Sequence, residues 1–592
     1  MLPYWTMFNR LIQLSIAAPM LCIIVAGCQS PFDAVVSHDE LQRDIHAAIE
    51  RELRDLPVET GSFTTRVETS ATETALAERR DELDNLSPAY GERPRTFDLG
   101  DDLTGRSQQE ITLALEHAIN SAVRHNLAIQ IAQLQPAITY QDVLAAEAVF
   151  DAVFFASTDF TRINEQTNVP VINGIPIGSA RQTSNAWRFE TGIRADLITG
   201  GSAFISTDLT RTDFRSPGVS FSPDPAYNAA IRLGFVQPLL RDFGSDVSQS
   251  TIMLTRNMQQ RAVEQLRADL LQLISDTEIA YWNLVFAWQD LEIRQWLVDE
   301  GMQVRDVLES RRDFDARPAE YADAVARVEQ RQADVIRARR QLRSASDALK
   351  TLINDPQLAV GSEAVLYPID VPASSPITYE LADIMKTAIS NRPEIEQARL
   401  RIDDSVIQQR LAASALLPRL DLAAQLDFTG LDDSVSSAYG EIGEGFINYL
   451  LGLTFEAPLG NRAAEAGARQ ARLQRSASIL AYRQSVQNVV LDVKNALRDV
   501  VTNYELIQAT RSFRVAQAEN LRALMVREAL VGLTPEFLNL KFQRQETLAN
   551  ARQQELLAQV NFDQSVAQLY RAMGTGLRMH QIDFETFDAT DR

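Results

Sequence analysis

Between Ala468 and Val531 the chain holds neither glycine nor proline, and Val486, Val490, Val493, Leu497, Val500, Tyr504 and Ile507 recur at alternating steps of four and three residues. That spacing lays apolar side chains along one seam of a helix. Leu270, Leu273, Thr277, Ala280, Leu284, Ala287 and Leu291 repeat the pattern earlier in the chain, against faces rich in Gln, Arg, Asp and Glu. A helix of roughly 60 residues rises ~90 Å, so two such helices are expected to pack side by side over their length. Arg317-Pro318 and Thr534-Pro535 interrupt the two patterns and predict the turns of two helical hairpins.

A second pattern separates the helical stretches. Phe150–Arg162, Tyr227–Val236, Leu420–Phe428 and Phe446–Phe455 are rich in aromatic residues and partly alternate between apolar and polar. Each offers at least the roughly 9–11 residues of a tilted strand crossing a bilayer. Alternation would turn apolar side chains to lipid and polar ones to a lumen, and closure into a barrel would remove every open edge. A small soluble sandwich on a helical rod fits the same residues. Trp187–Leu197, Ile198-Thr199-Gly200-Gly201 and Ser202–Asp213 read as an extra hairpin around a Gly-Gly turn within the insertion 163–226. We expect it to extend the hairpins at the outer face; added barrel strands are the alternative.

The chain is internally duplicated. Leu233-Gly234-Phe235-Val236-Gln237-Pro238-Leu239 and Leu453-Thr454-Phe455-Glu456-Ala457-Pro458-Leu459 share L-x-F-x-x-P-L. Ala118-Ile119 precedes His125-Asn126-Leu127-Ala128-Ile129 as Ala388-Ile389 precedes Asn391-Arg392-Pro393-Glu394-Ile395, and the order of motifs is the same in both halves. The repeats are bounded at 110–355 and 377–576, with a linker at 356–376 and a tail at 577–592. Residues 28–109, charged and poor in aromatics, read as a partly disordered tether with a helix near Leu41–Leu53.

Composition narrows the function. A net charge of -22 argues against a nucleic-acid partner, which needs a positive field. Leu11–Ala26 follows Arg10 and has the length of a signal-peptide core, so residues 1–27 are expected to be removed. Val25-Ala26-Gly27-Cys28 resembles the bacterial lipobox. The resemblance implies diacylglycerol on the Cys28 thiol and a further acyl chain, such as palmitate, on its amine. More than one chain anchors firmly, at ~0.8 kcal/mol per buried methylene. The only other cysteine, Cys22, lies in the signal, which leaves no thiol for a disulfide or metal site.

The ordered duplication resembles the TolC-like outer-membrane efflux protein family over Ile111 to Gly574. It rests on A-I-x(5)-N-x-x-I and N-R-P-E-I, on F-x-x-P-L, on Val531-Gly532-Leu533-Thr534, and on the closing helix Glu546 to Gly574. The resemblance implies an α+β membrane protein, a homotrimer whose chains each give four strands to a shared transmembrane antiparallel β-barrel continued by a long periplasmic α-helical barrel. It also implies a passive exit duct in the outer membrane, lipid-anchored with a large periplasmic part, fed through a periplasmic adaptor (membrane fusion protein) by an inner-membrane pump of the RND, ABC or MFS type. Adaptor contact would fall on the hairpin tips, Ala316, Arg317 and Pro318 in the first copy and Gly532, Leu533 and Thr534 in the second. Glu320, Asp323 and Glu536 are candidates for an acidic constriction, although Leu538 and Lys541 stand where aspartates are frequent.

No H-E-x-x-H, nucleophile elbow or Walker loop is present, and His117 and His125 are read as exposed polar residues. An enzyme, a resident metal and a cofactor are therefore not expected, apart from the covalent lipid on Cys28. The competing class is a lipid-anchored periplasmic coiled-coil scaffold without a pore.

Overall fold

The structure is a computed structural model that describes residues 70–88 and 99–582, apart from 102, 104, 107, 167, 169–170, 177–180, 216–219, 315–316, 374, 444 and 532–533, with 43, 47, 49–51 and 63–64 in addition. The signal peptide, Cys28 and the end of the tail lie outside the described residues. In chain order the principal elements are α1 (Leu115–His125), α2 (Leu127–Glu147), β1 (Val153–Gln166), β2 (Arg181–Asp196), β3 (Ser202–Phe214), β4 (Ala226–Pro238), α3 (Ser250–Ser310), α4 (Pro318–Ile353), α5 (Leu381–Asn391), α6 (Pro393–Ser414), β5 (Arg419–Asp432), β6 (Ile447–Glu456), α7 (Arg462–Val531) and α8 (Pro535–Ala572). They group into two compact units. One holds 138–259 and 400–480, the other the described residues of 45–137, 260–399 and 481–592.

The first unit carries one antiparallel sheet of six strands, in the order β6-β5-β4-β3-β2-β1. The expectation that the inserted hairpin extends beyond the sheet is overturned. β2 and β3 lie inside it, β2 paired with β1 from Val153↔Arg194 to Gln166↔Arg181 and β3 paired with β4 from Ser202↔Val236 to Thr212↔Ala226. The sheet of one chain therefore has six strands rather than four. Its connecting turn is built into the strand-to-helix junction after β4. Thr199 donates to Gln237 Oε1 at 2.6 Å, Gln237 Nε2 returns a bond to Thr199 O at 3.0 Å, and Gly244 N reaches Thr199 O at 3.1 Å. Gly200 has φ +86, and a Cβ there would meet Asp242 O at 2.3 Å, so only glycine fits.

The second unit is helical. Val486, Val493, Leu497, Val500, Tyr504 and Ile507 are buried as their spacing predicts, whereas Val490 is half-buried and Val489 is buried beside it. On α3 the burial is wider than the seam, because Tyr281, Trp282, Val285 and Trp288 are covered too. They meet a short parallel strand pair, Glu110–Leu113 with Val365–Pro368. Tyr281 Oη donates at 3.0 Å to Leu113 O and Trp288 Nε1 at 2.7 Å to Leu366 O, which satisfies their polar atoms inside the core.

The duplicated motif marks a duplicated joint. Asn126 ends α1 and starts α2: its Oδ1 accepts from Ala128 N at 2.9 Å and Ile129 N at 3.2 Å, and its Nδ2 donates to Leu352 O in the last turn of α4 at 2.9 Å. In the second copy Arg392 stands between α5 and α6. Its guanidinium reaches the closing carbonyls of α8, Arg571 O at 3.4 Å and Ala572 O at 3.5 Å, and pairs with Glu394 at 2.9 Å. The residues that follow α4 and α8 match as well. Asn354 is left-handed at φ 46 and donates to His125 O, while Gly574 at φ +69 lies so close to Asn391 O that a Cβ would sit 2.8 Å from it.

Part of the segment read as a tether is folded. Ala71–Ala75 and Arg80–Asp84 are helical, and Leu83 is fully buried among Val515, Ala518, Leu521 and Leu548. Positions 43, 47 and 49–51 are also helical, within the helix expected at Leu41–Leu53. Asp84 pairs with Arg514 at 2.7 Å, and Arg514 joins a buried cluster in which Glu555 meets Arg514 at 2.6 Å and Arg511 and Arg552 at 3.3 Å each. Burial pulls the Arg514 guanidinium down, but Glu555 and Asp84 more than offset it and hold it above its ordinary value. Removing Glu555 would leave buried guanidinium charge uncompensated, a loss of about 3–5 kcal/mol. Glu555→Ala is accordingly expected to lower the thermal midpoint far more than Asn126→Ala, whose lost cap is worth ~1 kcal/mol. Circular dichroism melts of the two variants decide it, and equal midpoints would remove the buried cluster as a determinant of stability.

Candidate functional site

Cross-strand register places one residue from each of the six strands in a single row: Phe154, Ile193, Ile205, Leu233, Leu426 and Tyr449. All six are apolar or aromatic, and all are exposed on the single chain, Tyr449 at 82 % and Phe154 at 71 %. Residues two positions away along a strand share that face, so Phe160, Trp187, Phe189, Phe235, Phe428, Leu451 and Phe455 extend it. Phe160 and Trp187 are opposite each other with ring centroids 4.9 Å apart. The alternate residues make the other face polar. Arg188 lies 3.3 Å from Glu190 and 3.9 Å from Asp208, and Arg232 lies 3.0 Å from Asp208 and 3.9 Å from Asp427. A sheet with one apolar exposed face and one face crossed by ion pairs separates lipid from water. No helix among the described residues is long and apolar enough to cross a membrane.

Near the Gly200 turn the same unit holds a cavity of about 860 Å³ lined by Asp196, Arg241, Asp242, Arg419, Asp421 and Glu456 among others. Arg419 pairs with Asp421 at 2.6 Å and Arg241 with Asp242 at 3.7 Å, which compensates two of the four carboxylates there and leaves the lining acidic.

The other expected sites lie at the helix-hairpin turns of the second unit. Arg317 is the N-cap of α4 and Pro318 its first residue, both exposed. Thr534 caps α8 by accepting from Phe537 N at 3.3 Å and is exposed. Ala316, Gly532 and Leu533 lie outside the described residues. The carboxylates named with them are engaged locally. Glu320 accepts from Arg317 N at 2.9 Å, the returning half of a capping box, and Asp323 pairs with Arg327 at 2.9 Å. Glu536 is exposed in the first turn of α8, where a carboxylate favours the helix dipole. Leu538 is buried rather than facing solvent, and Lys541 is 3.4 Å from Glu528.

Behind the turns Val304 and Leu308 of α3, Ala324 and Val328 of α4, and Leu538 and Phe542 of α8 form one apolar cluster. It joins the first hairpin to the start of the second hairpin's returning helix. Arg331 closes this cluster: its guanidinium stacks 5.0 Å over the Phe542 ring and donates to Leu297 O at 2.8 Å and Phe542 O at 3.2 Å. Burial pushes it down to about 10. Sequence reading missed two residues at the turns themselves, Phe314, 88 % exposed, and Leu530, 81 % exposed. A bulky apolar side chain beside each helix break was the available signal.

Buried chemistry elsewhere in this unit is structural. Ser121 donates to Asp355 at 3.0 Å and faces His125 Nδ1 at 3.2 Å, while exposed His117 lies 3.9 Å from Asp355. No group of three His, Cys, Asp or Glu among the described residues is arranged to hold a metal ion. Asp563 of α8, a buried carboxyl that accepts from Ala373 N at 3.0 Å, is pushed up to about 7, chiefly by burial and further by the Glu278 charge. Glu278 itself bonds His580 at 2.6 Å.

The sign follows from the raised value. Above the ordinary carboxylate pKa of ~4 the folded chain keeps a proton the unfolded chain releases, so this contribution is complete at low pH and is lost as pH rises toward 7. Asp563→Asn, which keeps an acceptor for Ala373 N, is expected to flatten the fall of the thermal midpoint between pH 5 and pH 8. An unchanged slope would show that another group sets it.

Residues 384–575 match the family model described as outer membrane efflux protein. Among solved structures, the open state of the MtrE outer membrane channel of Neisseria gonorrhoeae is similar at a TM-score of 0.54 and 19% identity, covering 90% of this chain and 98% of that one. The CmeC outer membrane channel of Campylobacter jejuni is similar at 0.55 and 14%, covering 83% and 95%, and the outer-membrane channel OprN at 0.56 and 16%, covering 78% and 90%. No similar sequence is found among curated proteins. The second repeat thus resembles outer membrane efflux proteins, and the fold of the chain is that of these three outer-membrane channels.

Proposed function

We propose that the protein is the outer-membrane exit duct of a tripartite efflux or type I secretion system, a homotrimer that conducts passively what an inner-membrane pump and a periplasmic adaptor deliver. The observation that carries this reading is the apolar row Phe154, Ile193, Ile205, Leu233, Leu426 and Tyr449 across a sheet whose opposite face bears ion pairs. A pore-less scaffold would have to leave that apolar face in water. The strands are long enough to span, and the duct contributes no chemistry of its own. Lipid on Cys28 would add an anchor. The family match and the likeness to the three channel structures support the assignment.

Planar-bilayer recordings of the purified protein, with its mass in detergent, test the reading. Discrete single-channel steps from a trimer are expected, and a folded, water-soluble monomer without conductance would sink it.

Adaptor docking belongs at the hairpin turns. Exposed Phe314 and Leu530 supply apolar contact area beside the expected Arg317, Pro318 and Thr534. Glu320, Asp323 and Glu536 at the same turns are the candidates for an acidic constriction of the duct. Phe314→Ser combined with Leu530→Ser is expected to leave trimer mass and single-channel conductance unchanged while abolishing cellular efflux. Export at the wild-type rate would place docking elsewhere.

A further inference from the structure

The apolar row does not stop at the four strands shared by the two repeats. It passes through Ile193 of β2 and Ile205 of β3, which meet at opposed positions between Phe154 and Leu233. On the polar face the inserted pair supplies Arg188, Glu190 and Asp208, which bond to one another and to Arg232 of β4. Both faces of the inserted strands therefore continue the faces of their neighbours. Their turn is held by Gln237 and Gly244 at the strand-to-helix junction, so the pair is part of the wall over its full length.

The sheet ends in two open edges. β1 is exposed at every position but Phe155, and β6 at every position but Gly452. In a bilayer those edges are untenable, because each unpaired N–H and C=O costs several kcal/mol. A sheet of six cannot satisfy itself by curling, since about eight strands give the smallest barrels. The edges also match in direction. With six antiparallel strands, β1 and β6 run oppositely, so β6 of one copy laid beside β1 of the next makes an antiparallel ladder.

We propose that three copies of this chain close one barrel of eighteen strands, β1 of each copy pairing with β6 of its neighbour and β2–β3 forming part of the wall. The trimer rests on the reading under Proposed function; the strand count rests on the sheet. At equal tilt a barrel's circumference grows with strand number. The outer mouth is therefore half as wide again as one built from four strands per copy, and is lined by the compensated belt Arg188, Asp208, Arg232 and Asp427.

The test is cysteine pairing in native outer membranes, with a strand count on the full-length protein. Thr158→Cys on β1 is combined in turn with Ile447→Cys, Tyr449→Cys, Leu451→Cys and Leu453→Cys on β6, all on the apolar face. At least one pair is expected to oxidise to dimer and trimer bands on non-reducing gels that collapse on reduction. Electron cryomicroscopy of the wild-type trimer should show eighteen strands. A conducting trimer with twelve strands and the inserted pair outside the wall would overturn the proposal and leave the channel reading standing. A monomer without conductance would overturn both.

Discussion

Lipid offers no hydrogen bonds, and on the function proposed above this constraint organises the first unit. Each strand must find partners on both sides, so the registers from Val153↔Arg194 to Arg419↔Glu456 do more than align side chains. They leave only two rows of unsatisfied backbone, at β1 and β6. On the closure proposed above, assembly is then part of folding for this unit. The same pairing fixes the faces: a slip of one residue between β3 and β4 would carry Ile205 to the polar side and Ser206 to the lipid side. The ion pairs Arg232–Asp208 and Arg232–Asp427 lock the register that the apolar row needs.

In the second unit the organising element is the joint between short and long helices. Where α1 gives way to α2, and α5 to α6, one polar side chain serves the end of the returning helix of its own repeat. Asn126 does so with an amide and Arg392 with a guanidinium. A short amide and a long cation give the same result because the object is the same, helix-terminal carbonyls that lack intrahelical donors. The repeat is therefore conserved as a hydrogen-bonding requirement more than as a residue.

That difference explains what could be read from the sequence. Heptad spacing from Val486 to Ile507 located buried positions because helical burial is local. The Gly200-Gly201 turn was legible for the same reason, as were the hairpin turns at Pro318 and Thr534. The place of β2–β3 in the sheet was not. Trp187–Leu197 alternates identically whether it projects beyond the sheet or lies within it, and only pairing with β1 and β4, set by register, separates the two. Leu83 was hidden in a charged stretch because its partners, Val515 and Leu548, lie hundreds of residues away. The capping role of Glu320 was visible as a position near a helix start, but its bond to Arg317 N depends on backbone geometry.

The insertion also shows how such a wall can change size. An added strand must bring the chain back to the end from which the next helix departs, so strands enter in pairs. One strand alone would leave α3 starting from the wrong side of the sheet and would make the two edges run in the same direction. A pair preserves both. Here Gly200 and Gly201 turn the chain within a space where side chains would collide with Asp242 O and Val236 O, and Gln237 fastens that turn to the strand already present. The helices after the sheet need no adjustment, because β4 still ends at Pro238, in register with Asp421 of β5. The sheet can thus widen while the four strands of the duplicated repeats keep their register.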